Sequence, residues 1–257
     1  MKNIIGILAF TLIFYSCKRE DQAIQTGNSK YSGVIQYTSS SFVYVKDSAR
    51  IEQNILFYGN GYFCKTPNMF SGQWERIGDL MIGNYQVYDS LTTGQYAFSI
   101  SQIIDTMNIT QFGKKINFSI SGGGDYSSAF ATQYVPQIIF IYSKKETDDR
   151  HSKMDSLLIT WNPDPYNQNI EISLNYDGIT SHDNDSSLSE SSYTTNPIIV
   201  PDNGKFILPP SFFAEFSQGS EVGITITRRG DGEMKSNDKW IQIATKSTSV
   251  IYRTIIN

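Results

Sequence analysis

The sequence predicts a mainly β protein: two antiparallel β-domains behind an export leader. Three observations predict it. Tyr, Phe, Ile and Thr are plentiful, with 16 Tyr and 15 Phe in 257 residues, and these residues suit a pleated, half-buried surface. Short apolar or alternating segments recur with Asn, Asp, Gly or Pro between them. No stretch sustains the 3.6-residue period of an amphipathic helix.

The first residues read as a leader. Lys2 supplies a positive charge and Ile4 to Phe14 is almost wholly apolar. That run has the length of a signal-peptide core and is shorter than the roughly 20 apolar residues of a spanning helix. It ends in Phe14-Tyr15-Ser16-Cys17, which resembles a lipobox. Residues 1–16 are therefore expected to be removed and Cys17 to carry lipid. Residues 17–29 are expected to form a polar tether from the membrane to the fold.

Strand candidates follow from Tyr31 onward. Tyr31–Tyr37, Phe42–Val45 and Ile51–Tyr58 come first. Gly59-Asn60-Gly61 then reads as a hairpin turn before Tyr62–Lys65, because Asn-Gly accepts the positive φ of a type I′ turn. Trp74–Ile77, Asn84–Tyr88, Gln95–Ile100, Lys115–Ile120 and Gln137–Tyr142 continue the series. Ser121-Gly122-Gly123-Gly124-Asp125 lacks a following Gly-Lys-Ser/Thr, so it reads as a strand-to-strand loop and not a phosphate cradle. Together these define an N-terminal β-domain, 30–143.

Residues 144–155 carry a run of charges and mark the boundary. The second domain, 156–257, begins with Leu157–Trp161, closed by Asn162-Pro163-Asp164-Pro165. Ile170, Ile172, Leu174 and Tyr176 alternate with polar residues, as a half-buried strand should. Residues 177–196 form a polar loop. Ile198–Val200 and Lys205–Leu208 read as a hairpin around Asp202-Asn203-Gly204, and Ser211–Phe216 as one helical turn. Val222–Ile226, Trp240–Ala244 and Val250–Ile256 complete the series, with Arg229-Gly230-Asp231 at a hairpin turn. Short strands with regular turns suggest an immunoglobulin-like sandwich here.

Leu158-Ile159-Thr160-Trp161-Asn162, the strand Ile170–Tyr176, the turn Asp202–Leu208 and the step from Phe216 to Arg228 form a familiar series. With Ile116–Gly122 in the first half, they resemble a pattern in Bacteroidota cell-envelope lipoproteins. The likeness is loose and covers about 200 residues. It implies an outer-membrane, lipid-anchored address and a β fold, and it implies no activity. In that setting Lys18, Arg19, Glu20 and Asp21 resemble a surface-export signal, which points to the cell surface over the periplasmic face. Asp-Ser/Thr-apolar tripeptides resemble an O-glycosylation motif of such proteins, at Ser48, Ser90, Thr106 and Ser156.

Other chemistry is sparse. The near-neutral charge offers no basic patch for nucleic acid. His151 and His182 lack zinc spacing, so neither a metal nor another cofactor is expected. Cys64 lacks a second cysteine once Cys17 carries lipid, and reads as a small buried side chain. No catalytic residue emerges, so the expected role is non-catalytic binding of a glycan or protein partner. Trp74, Tyr126, Phe130 and Tyr134 are the candidate sugar platforms, with Trp161 and Trp240 assigned to the core. The alternatives are a glycan-acting hydrolase, whose carboxylate pair would be distant in sequence, and a structural envelope component.

Overall fold

The computed structural model describes residues 30–47, 50–65, 74–89, 95–101, 111–142, 150–176 and 193–256. The fold is mainly β, as the composition predicted. Among the described residues the helical content is one 3-10 turn, Pro210–Phe212.

Five strands build the first part of the sheet: β1 (Tyr31–Asp47), β2 (Arg50–Phe63), β3 (Leu80–Ile82), β4 (Tyr85–Asp89) and β5 (Gln95–Ser101). They are followed by β6 (Lys114–Ile120), β7 (Ala129–Val135), β8 (Arg150–Ser152), β9 (Leu157–Thr160) and β10 (Asn169–Tyr176). The last are β11 (Tyr193–Thr194), β12 (Ile198–Pro201), β13 (Lys205–Leu208), β14 (Glu221–Ser236) and β15 (Lys239–Ile256). Thirteen of these share one sheet, in the order β11-β10-β14-β15-β1-β2-β5-β4-β3-β6-β7, with β12 beside β10 and β8 beside β15. β9 and β13 form a separate two-stranded ribbon.

The pairing is antiparallel with two exceptions. β1 runs parallel to β15, and β8 runs parallel to its end. The sheet is therefore mixed. The β1–β15 seam also joins the first and last strands, so the hydrogen-bonded sheet is continuous on both sides of the 144–155 segment.

β14 and β15 form a long hairpin whose inner face spans two hydrophobic cores. The first core holds Ile35, Tyr37, Phe57, Leu80 and Phe118, with Met234, Ile241 and Ile243 from the hairpin. The second holds Leu157, Ile159, Trp161, Ile172 and Leu174, with Ile224, Ile226, Ile251 and Ile255 from the hairpin. In the second core the β9–β13 ribbon packs against β10, β14 and β15, a sandwich-like arrangement. Between the cores the inner face turns polar at Arg228, Thr245, Ser247 and Ser249, and on β1 at Ser39 and Ser41.

That polar belt anchors the segment after β7. Ile139 donates its N–H to the Ser247 hydroxyl, which also accepts from Ser39. Arg228 is fully buried beside Asp202 and makes two hydrogen bonds to its carboxylate, Nε to Oδ2 at 2.6 Å and Nη2 to Oδ1 at 3.0 Å. Its remaining N–H groups donate to the carbonyls of Gln137 and Asn162. Trp161 Nε1 donates to the same Asp202 carboxylate at 2.8 Å. The buried charge is thus paired and each guanidinium nitrogen has an acceptor, as a low-dielectric site demands.

Several turns fall elsewhere than the sequence suggested. Gly59-Asn60-Gly61 is not a turn: β2 runs straight through it. A Cβ on Gly61 would lie 2.5 Å from Leu80 Cδ2 and 2.9 Å from Phe63 Cε2, so glycine is there for close packing. Arg229-Gly230-Asp231 also lies within a strand, β14. A Cβ on Gly230 would meet Thr245 Oγ1 at 2.5 Å, and one on Gly232 would meet Gln133 Oε1 at 2.4 Å. These glycines let β7 cross close over β14. The hairpin turns instead at Asn237-Asp238, with Asn237 at φ 55°. Ile198–Val200 and Lys205–Leu208 are strands flanking a turn at Gly204, but they do not pair with each other: β12 joins β10 and β13 joins β9. Trp74–Ile77 and Gln137–Tyr142 are irregular, contributing isolated bridges at Trp74 and Ile141.

Candidate functional site: the outer face of β6 and β7

β6 and β7 alternate strictly. Ile116, Phe118 and Ile120 point into the first core, with Ala129 and Ala131 packed against it. The opposite face therefore presents Lys115, Asn117, Ser119, Phe130, Thr132 and Tyr134. The registers set them in rows: Ser119 beside Phe130, Asn117 beside Thr132 and Lys115 beside Tyr134. The first row extends through Met81 on β3 to Gln86 on β4.

Two aromatic positions mark the ends of this face. Phe130 is 79% exposed, an unusual state for a large apolar ring. Four residues along β7, Tyr134 is half-buried and packs against Tyr166, whose ring centroid is 5.4 Å away and which is 77% exposed. Buried Asp164 holds this pair: its Oδ1 accepts from the Tyr134 hydroxyl at 2.7 Å and from the Tyr166 N–H at 3.0 Å. Its Oδ2 accepts from the Gln137 N–H at 2.8 Å. Partial burial, then the Asp164 carboxylate, raises the Tyr134 phenol above its ordinary value. Between the aromatic ends, the Thr132 hydroxyl donates to Asn117 Oδ1 at 2.7 Å. Stacking rings flanking hydroxyl and amide groups can hold a sugar by its apolar and polar edges together.

Of the four sequence-predicted platforms, the fold brings Phe130 and Tyr134 onto one face. Tyr126 is buried under the first core, with its hydroxyl donating to the carbonyls of Ser32 and Cys64. Trp74 is half-buried near Cys64, its ring 5.9 Å from that of Tyr62. Neither joins the β6–β7 face. Trp161 is buried, whereas Trp240, expected in the core, is half-buried with the Lys30 and Lys235 ammonium groups 4.6 and 5.4 Å from its ring. Ser156 is exposed between β8 and β9. Cys17, Lys18, Arg19, Glu20, Asp21, Ser48, Ser90, Thr106 and His182 lie outside the described residues. His151 packs against Phe213. Sequence reasoning missed Tyr166, Lys115, Asn117 and Thr132. The signal for Tyr166 was an aromatic directly after Asn162-Pro163-Asp164-Pro165, where a tight turn exposes it.

A second polar region lies at the tip of the β14–β15 hairpin. A cleft of about 520 Å³ is lined by Lys30, Ser32, Lys65, Asp125, Asn237, Asp238 and Lys239. Lys239 is buried there, donating to the Lys65 carbonyl at 2.5 Å. The Glu75 and Asp125 carboxylates lie 3.6 and 3.7 Å from it, and the Tyr126 ring 4.9 Å. Both carboxylates serve as counter-ions to one buried ammonium, a structural arrangement. Burial raises the adjacent Cys64 thiol above its ordinary value, against the pull of Lys239. Among the described residues no cluster of His, Cys, Asp and Glu could hold a metal ion.

No protein-family model matches the chain, and no curated protein matches it.

Proposed function

We propose that this is a lipid-anchored cell-envelope protein, displayed at the cell surface, that binds a glycan without transforming it. The observation that carries the binding reading is the β6–β7 face. A solvent-exposed Phe130 and the Tyr134–Tyr166 pair mark the two ends of this face, with hydroxyl and amide groups between them. Among the described residues the outward rows of β6 and β7 carry no carboxylate, which favours binding over catalysis, because a hydrolase surrounds the scissile bond with two carboxyl groups. The anchoring reading rests on the leader sequence and Cys17.

Two measurements test these parts separately. Cys17→Ser in the native host should abolish labelling by radioactive palmitate; continued labelling would refute lipidation at Cys17. For binding, the full chain applied to a glycan array should give discrete signals that Phe130→Ala removes while the melting temperature stays put. Signals unchanged by Phe130→Ala would move the site away from this face.

A further inference from the structure

The β6–β7 face is chemically lopsided. In its Phe130 row Ser119, Met81 and Gln86 are themselves uncharged, and beyond the row Gln86 donates to the Asp79 carboxylate at 3.1 Å. Its Tyr134 end carries Lys115, exposed and directly beside Tyr134. Among the described residues of these rows Lys115 is the one charged side chain. The nearest carboxylate in the site, Asp164, is 1% exposed and already accepts three hydrogen bonds. It supports the aromatic pair and offers no acceptor to a sugar hydroxyl.

We infer that this face takes an anionic oligosaccharide, carrying carboxylate or sulfate groups, with one sugar ring stacked on Phe130 and the acidic group of another at Lys115. The inference rests on the glycan reading above and adds the ligand's charge and length. Length follows from the strand. Phe130 and Tyr134 are four residues apart, about 14 Å at the antiparallel rise. That exceeds one pyranose ring, so the acid belongs to a different sugar from the stacked one. Charge follows from exposed Lys115, whose ammonium can donate to any sugar hydroxyl but gains a stronger, charge-assisted bond from a carboxylate or sulfate.

The test uses the full chain and paired probes: oligogalacturonate against its carboxyl-reduced neutral form, and a sulfated galactan oligosaccharide against its desulfated form. Calorimetric titration is run on the wild type, Lys115→Glu, Lys115→Arg and Phe130→Ala. At least one acidic probe should bind more tightly than its neutral partner, with the preference falling as salt rises. The pair that responds tells carboxylate from sulfate. Lys115→Glu should weaken acidic-probe binding about fivefold, the scale of reversing one exposed charge, and Lys115→Arg should retain it. The monomeric acid sugar should bind far more weakly than the oligomer. Equal binding of acidic and neutral partners, all lost in Phe130→Ala, would overturn the anionic inference and leave the glycan reading standing. Failure of every probe to bind would overturn the anionic inference, and blank signals across the neutral and acidic array together would remove the glycan reading as well.

Discussion

Removing Arg228 should be among the most damaging single changes in this fold. Both side chains of its pair with Asp202 are fully buried, and the guanidinium also caps the carbonyls of Gln137 and Asn162. Arg228→Met keeps the volume and deletes the charge. Asp202 would then hold a buried carboxylate with only the Trp161 and Asn167 side-chain donors left, and two carbonyls would lose their partner. Breaking a buried pair from one side costs about 3–5 kcal/mol. With a urea slope of about 2.5 kcal/mol per molar, the unfolding midpoint should fall by roughly 1.2–2 M. Urea denaturation followed by circular dichroism measures this directly. Asp202→Asn should also destabilise, and the double variant Arg228→Met/Asp202→Asn should lose less than the two single changes summed, since the residual buried charge is gone. A midpoint within experimental scatter of the wild type, or strictly additive single changes, would refute the claim that this buried pair stabilises the fold.

Two further outcomes follow from packing and titration. Gly61→Ala should cost about 1–3 kcal/mol, because its Cβ would overlap Leu80 and Phe63 inside a tight core; an unchanged urea midpoint would show that β2 tolerates the bulk. Tyr37, Tyr126 and Tyr134 all have phenols raised above their ordinary value of 10.0, chiefly by burial. A raised folded-state value means this stabilisation is complete below pH 10 and is lost as pH climbs beyond it. These three of the sixteen tyrosines should ionise together with loss of the fold, read by tyrosinate absorbance alongside circular dichroism. Ionisation of every tyrosine near the ordinary value with the sheet intact would contradict their burial.

The class of the fold was legible in the sequence; the lengths of its strands were not. The reason is visible at β1, β14 and β15. Their inner faces change from Ile and Tyr to Ser, Thr and Arg where they pass between the cores, at Ser39, Ser41, Arg228, Ser247 and Ser249. An alternation count therefore broke each strand into pieces. β7 escaped notice for a related reason: of its inward positions Ala129, Ala131 and Gln133 are too small or too polar to register as a core face, leaving Val135 alone at the end, while its outward Phe130 is the largest apolar residue. The glycines misled because their local meaning is ambiguous. At Gly61 and Gly230 they admit a neighbour across the core, a tertiary demand that no local pattern encodes. Phe130 and Tyr134 were recognisable as candidates, since both are aromatic in a Gly- and Ser-rich context. Tyr166, which packs on Tyr134, is 32 positions away from it in the chain and is brought there by the turn that Asp164 holds.

The parallel seam between β1 and β15 has a bearing on how the chain reaches this state. Ser39 and Ser247, which meet across it, are 208 positions apart. A chain synthesised from its N-terminus holds β1 against β2 alone until the eighteen residues of β15 emerge. Until then β1 is the edge strand of the β1-β2-β5-β4-β3-β6-β7 half of the sheet, and contacts this distant make for slow closure. The first strand thus remains loosely held through synthesis and settles only when the last is in place.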